Sequence, residues 1–142
     1  MTETSAAQTE TNRAIITRVF DAWSRGVHPD DLFAPGLTWR IPGHSAASGH
    51  YGSKQEFIDK MLSPFGARFS AAGPFRPVIR GIHADGDTVV VVFDGHGIAT
   101  DGQPYENSYV WIMQLADGQV TDGAAYFDSI SFNDLWARVQ PS

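Results

Sequence analysis

Residues 88–129 read TVVVVFDGHGIATDGQPYENSYVWIMQLADGQVTDGAAYFDS. Two Asp-Gly dipeptides, at 101–102 and 117–118, separate runs rich in β-branched and aromatic residues, the composition of strands joined by hairpin turns. The spacing predicts strands over 88–99, 105–115 and 120–129. An alternating stretch from Val78 to His83, closed by Asp85-Gly86-Asp87, supplies a strand before them. Four strands in a chain of hairpins form a mostly antiparallel sheet.

Upstream the period changes. From Thr11, Ile15, Ile16, Val19, Phe20 and Trp23 recur at spacings of three and four, a helical apolar face that Gly26 and Pro29 end. A short helical turn is expected at residues 30–33, then a strand through Leu37, Trp39 and Ile41, stopped by Pro42-Gly43. Residues 44–52 read as a loop. Ser53 and Glu56 stand at capping-box spacing before a second helix carrying Phe57, Ile58, Met61, Leu62 and Phe65, and a last helix is expected at residues 132–139, capped by Ser131. Helices followed by hairpins imply an α+β fold: one curved, mostly antiparallel sheet with helices on one face. Residues 1–10, poor in apolar groups, are expected to be a disordered tail, and residues 11–142 a single domain.

Composition narrows the function. With 142 residues, 42% of them hydrophobic, the chain is long enough to bury a core, and its net charge of -6 without a basic cluster argues against nucleic acid and anionic membranes. The absence of cysteine removes disulfides, thiolate metal sites and a cysteine nucleophile. Residues 1–12 lack the basic flank and apolar stretch of a signal peptide, so a cytoplasmic protein is expected. His44, His50, His83 and His96 show no ligand spacing, so neither metal nor another cofactor is expected. Nucleotide loops and the serine-hydrolase elbow are missing.

Period-two alternation groups Tyr105, Asn107, Tyr109, Trp111, Met113 and Leu115 on one face; Val90, Val92, Asp94 and His96 on one face of the preceding strand; and Ala124, Tyr126 and Asp128 on one face of the last. If these faces line the inside of the curve, Asp94, Asp128 and His96 project into an aromatic cavity. Such a row also reads as plain core, Asp128 as a turn or helix cap, and Asp94 as a strand end reaching solvent. His44 and Tyr51, near a strand end, could reach the same mouth. The candidate catalytic residues are therefore Asp128, Asp94, His44 and Tyr51. Candidate substrate-binding residues are Trp23, Trp39, Phe57, Met61, Val92, His96, Tyr109, Trp111 and Tyr126. Val110, Ile112, Ala125 and Phe127, assigned to the outer face, would leave an apolar patch in water, and predict a homodimer.

Trp39-Arg40-Ile41-Pro42-Gly43, residues 48–52 (SGHYG), residues 101–111 (DGQPYENSYVW), Asp117-Gly118 and Tyr126-Phe127-Asp128 together resemble the SnoaL-like, ketosteroid isomerase-like branch of the nuclear transport factor two-like superfamily. The resemblance covers nearly the whole chain after the tail. It implies a cone-shaped curved sheet wrapped by helices around an apolar cavity, dimers through the outer sheet face, and activities ranging from ketosteroid isomerisation and polyketide cyclisation to none known. Residues 94–128 are most similar to limonene epoxide hydrolase, whose two catalytic acids match Asp94 and Asp128. The arginine that bridges those acids in that enzyme is Val92 here. Without it, two inward carboxylates would repel and one would keep its proton near neutral pH, which suits isomerisation or aldol-type cyclisation better than hydrolysis. The expectation is a cofactor-free acid/base enzyme acting on a small apolar or polycyclic molecule. A non-catalytic small-molecule binding or carrier domain is the alternative.

Overall fold

A computed structural model describes residues 2–141. Its sheet has six strands: β1 (Phe33–Ile41), β2 (Gly49–Tyr51), β3 (Arg76–Asp85), β4 (Thr88–Ile98), β5 (Pro104–Ala116) and β6 (Gln119–Phe127), in the order β2-β1-β6-β5-β4-β3. Only β1 and β6 run parallel. The sheet curves without closing, and α1 (Thr2–Ser24), the helical segment 54–66 and α4 (Ser129–Arg138) cover its concave face.

Two one-residue shifts determine which side chains enter the cone. A two-residue Asp101-Gly102 loop would place Asp94 opposite Tyr109, but the observed connection is longer. The Ala99 N–H donates to the Gln103 carbonyl at 2.9 Å, so Thr100, Asp101 and Gly102 all belong to the loop. Phe93 consequently lies opposite Tyr109, Val91 opposite Trp111, and Asp94 opposite Ser108. Residues directly opposite share a face, so Val89, Val91 and Phe93 turn inward while Val90, Val92, Asp94 and His96 turn outward. In the next hairpin the Asp117-Gly118 loop does hold two residues, with both in the left-handed region. A bulge then intervenes: Leu115 faces Val120, but Gln114 faces Asp122, leaving Thr121 as the extra residue. Beyond it Phe127 lies opposite Tyr109, and Tyr126 opposite Val110 on the convex side.

The helices depart from expectation at both ends of the fold. Helix α1 includes residues 2–10, which were expected to fray, because its first turns grip the β3–β4 turn. The Gly86 N–H donates to the Thr9 hydroxyl at 2.8 Å, and buried Asn12 donates from Nδ2 to the Gly86 carbonyl at 2.9 Å. Farther along, Ile16 and Phe20 are fully buried against the sheet, each contributing about 1.5–3 kcal/mol. Residues 49–51, expected to be loop, pair with β1. The second helical segment comprises α2 (Lys54–Phe57), a π-turn (Ile58–Leu62) and α3 (Ser63–Gly66). Ser53 caps its start through the Glu56 N–H, as the capping-box spacing predicts, and the Ser63 N–H reaches the Ile58 carbonyl five residues back. Pro64, which lacks an N–H, follows that widened turn without ending the helix. At the C-terminus, buried Arg68 donates to the carbonyls of Val139, Pro64 and Trp136 and lies 3.7 Å from the Trp136 ring centroid. This guanidinium fastens α4 to the helical segment. No helix among the described residues is long and apolar enough to cross a membrane.

Candidate binding site inside the cone

Aromatic rings converge on the concave face from the inward positions of Trp39 on β1, Phe93 on β4 and Tyr109 and Trp111 on β5. Trp39 stacks on Phe57 at 4.8 Å and meets Trp111 edge-on at 5.0 Å, while Phe93 stacks on Tyr109 at 5.0 Å. Two glycines make room. A Cβ at Gly123 would lie 2.3 Å from Cζ3 of Trp39, and one at Gly95 would lie 2.2 Å from Cζ of Phe75. Only a residue without a side chain lets these rings lie against the strands.

The interior is nearly full. A space of about 30 Å³ remains, lined by Trp39, Phe57, Met61, Tyr109, Trp111 and neighbouring apolar groups. Trp23, Leu62, Phe65 and Phe75 line this space and also a groove of about 340 Å³ at the mouth, which adds His28, Asp30 and Ser63. These four side chains form the partition between solvent and the interior. Leu62 sits on the π-turn, an irregularity frequent at functional sites.

Polar groups inside are few, and all are neutral. The Tyr105 and Tyr109 hydroxyls meet at 2.6 Å, and Asn107 donates from Nδ2 to the Tyr105 oxygen at 2.8 Å and to the Asp128 carbonyl at 3.0 Å. The Asn107 Oδ1 in turn accepts from the Asp128 N–H at 3.2 Å, tying the end of β6 to β5. Burial pushes the Tyr109 phenol well above its ordinary range, so it remains a hydrogen-bond donor at any physiological pH. Tyr105 is raised for the same reason. Among the described residues, one buried side-chain nitrogen or oxygen has no partner: Nε1 of Trp39, in a side chain 1% exposed.

The proposed pair of catalytic acids is not assembled in this interior. Asp94 points outward, accepting from Arg80 Nε at 2.7 Å and Ser108 Oγ at 2.9 Å. Asp128 caps α4, accepting from the Ile130 N–H at 3.0 Å and Ser131 Oγ at 2.8 Å. The two acids line one open groove of about 490 Å³ on the outside, with His96 and Arg80. Hydrogen bonds from Arg80 and Ser108 hold the Asp94 carboxyl below its usual range, and those from Ser131 and Ile130 do the same for Asp128. Both are therefore ionised at neutral pH, against the expectation that one would keep its proton. Tyr51 is buried and donates to the Ala47 carbonyl at 2.6 Å, satisfying a local turn. His44 is exposed, and its backbone carbonyl accepts from Asn133.

Of the candidate binding residues, Trp23, Trp39, Phe57, Met61, Tyr109 and Trp111 line the interior space, whereas Val92, His96 and Tyr126 lie on the outside. Ala125 and Phe127, assigned to the outer face from sequence, also line the interior. Sequence reasoning missed Phe75, Phe93 and Leu62, and it did not assign Tyr105 and Asn107 to a polar cluster. A signal existed for that pair, because both share the inward phase of Tyr109.

A profile of the SnoaL-like domain matches residues 16–123. Among curated proteins none matches by sequence. Solved structures resemble most of the chain. Bal32a, from a soil-derived mobile gene cassette, superposes with a TM-score of 0.74 at 20% identity, covering 91% of this chain and 98% of its own. A proposed SnoaL-like polyketide cyclase from Jannaschia sp. CCS1 gives a TM-score of 0.71 at 20% identity, covering 92% and 94%. A protein of ketosteroid isomerase-like fold from Catenulispora acidiphila, in complex with trimethylamine, gives 0.65 at 17%, covering 83% and 88%. At these identities the structural likeness establishes the fold, and the profile match over most of the chain establishes the family: the protein belongs to the SnoaL-like domain family, with a nuclear transport factor two-like fold.

Proposed function

We propose that the protein binds a small, largely apolar molecule inside the cone, admitted past Trp23, Leu62, Phe65 and Phe75, and that Asp94 and Asp128 take no part in chemistry on it. The observation that carries this reading is a concave face built of aromatic rings whose small residual space is continuous in its lining with a mouth groove. A plain core needs neither the shared partition nor an unpartnered indole nitrogen. Protein NMR checks it: benzene-sized aromatic compounds should shift the indole N–H signals of the interior tryptophans, and Ala125→Leu, which fills the space, should abolish the shifts. No perturbation by any such compound sinks the reading.

An isomerase or cyclase activity is the second reading, favoured by His28 and Asp30 at the mouth, where a base could meet the exposed end of a bound molecule. In that case Asp30→Asn or His28→Ala abolishes turnover with binding retained, while Asp128→Asn leaves turnover unchanged.

The convex face carries the part-exposed Val90, Val92, Val110, Ile112 and Tyr126 side by side across β4, β5 and β6. We propose that a second copy of the chain covers this patch, since an apolar surface of this kind is costly in water. Sedimentation should show a dimer at micromolar concentration, and a lone 15.5 kDa species would contradict it.

A further inference from the structure

We infer that the mouth groove holds the charged end of a methylated ammonium compound, with the Asp30 carboxylate as its counter-ion and the rings of Trp23, Phe65 and Phe75 as its walls. This assignment rests on the binding reading above and specifies the class of molecule bound. The way α1 ends brings the acid to the rings. The Gly26 N–H donates to the Trp23 carbonyl and the Val27 N–H to the Ala22 carbonyl, both at 3.0 Å, with Gly26 at a φ of +105°. That left-handed residue reverses the chain, so residues 28–30 return beside Trp23 and line the groove with it. Asp30 is half-buried there, and among the described residues its carboxylate has neither an ion pair nor a hydrogen bond.

An unpaired carboxylate half withdrawn from water among aromatic rings favours a cationic ligand. Elsewhere on the molecule, acids in grooves already have their counter-charge: Glu10 lies 3.5 Å from Arg13 between α1 and β3, and Asp94 accepts from Arg80 on the outside. No lysine or arginine lines the mouth groove. A space of about 340 Å³ is about 7 Å across, its cube root, which keeps a cation in it inside the roughly 8–10 Å Debye length of the carboxylate. Ring faces attract positive charge over a similar range, out to about 6 Å from the centroid. Methylation suits these walls. A primary ammonium gives up strong hydration that one carboxylate and the Ser63 hydroxyl restore only in part, whereas N-methyl groups present an apolar surface to the rings. Trp23, Phe65 and Phe75 line the groove and the interior space alike, so a ligand whose apolar body points inward leaves its ammonium end among them.

Two probes of similar shape test this: benzyltrimethylammonium and the neutral 2-methyl-1-phenylpropan-2-ol, titrated against the tryptophan indole signals at pH 8, above the imidazole reference value of about 6.5 because His28 also lines the groove. Wild-type protein should bind the ammonium about tenfold more tightly. Asp30→Asn should bring the two affinities within about threefold and leave that for the alcohol unchanged. Asp31→Asn, which removes the same charge from an exposed neighbour outside the groove, should keep the preference. Added salt should narrow the preference in wild type and not in Asp30→Asn. Equal wild-type affinities, or a preference that survives Asp30→Asn, overturn the ammonium assignment and leave the binding reading standing. If neither probe nor benzene itself shifts any indole signal, both fall. Should Asp30→Asn fail to fold, Trp23→Leu takes its place: removal of the ring should narrow the preference, and an unchanged preference overturns the assignment.

Discussion

The concave and convex faces of β4, β5 and β6 are made by the same strands one residue out of step, yet they differ in kind. Phe93, Tyr109, Trp111 and Phe127 stack toward the interior, whereas Asp94, Ser108, Val110 and Tyr126, their immediate neighbours, form an ion pair, a hydrogen bond and an apolar patch outside. The interior has aromatic area and one unpaired neutral donor, the Trp39 indole N–H, but no charge in the lining of its residual space. The exterior has the acids, already occupied by Arg80, Ser108 and the cap of α4. Carboxylates with such partners at the solvent boundary are surface structure.

Substitutions on the two faces should therefore differ in size. The largest effect is expected inside: Trp111→Ala, which removes a ring touching Phe20, Trp39 and Phe93, should cost about 3–5 kcal/mol in denaturant unfolding. A loss under about 1 kcal/mol would mean the aromatic interior is loosely packed. Gly123→Ala comes next, at about 1–3 kcal/mol, since the new methyl meets the Trp39 ring and the ring must move. That variant should also perturb the Trp39 indole signal. Asn107→Ala leaves the Asp128 N–H without its partner and removes one of the two contacts of the Tyr105 hydroxyl, and a loss of about 1–3 kcal/mol is expected.

The smallest effect belongs to the outside. In Asp94→Asn the pair with Arg80 is weakened, but the pair is solvent-exposed and stability at neutral pH should scarcely change. The acid limb should differ by that same small amount. The folded carboxyl is held below its unfolded value, so its contribution is present above that value and disappears as pH falls through the lower folded one. Stability of the wild type should therefore fall below about pH 4 more steeply than that of Asp94→Asn. Equal acid limbs would show that Arg80 does not engage Asp94 in solution.

Much of this architecture is legible in the chain. The Asp-Gly turns announce the hairpins, the recurrence of Ile16 and Phe20 announces the helix face, and alternation in β5 correctly places Tyr109 and Trp111 inward. Strand β4 was not legible, because Val89 to Val92 offers the same side chain in both phases and alternation has no contrast to act on. The Asp101-Gly102 dipeptide suggests a tight turn, which puts Asp94 inside; the observed loop has one residue more and reverses the assignment. At Thr121 no residue type marks the bulge, so Tyr126 and Asp128 were placed inside and Phe127 outside. The first turns of α1 were misread for a different reason: Thr9 and Asn12 are polar, and their value lies in the backbone of Gly86, more than seventy residues away.

The chain by itself determined the kinds of element, their order and the family they form, because those depend on local periodicity and turn chemistry. Tertiary structure decided which acid, ring or amide reaches the interior. In a sheet that decision depends on parity, and a single extra residue in a loop or a bulge moves every side chain beyond it to the opposite face.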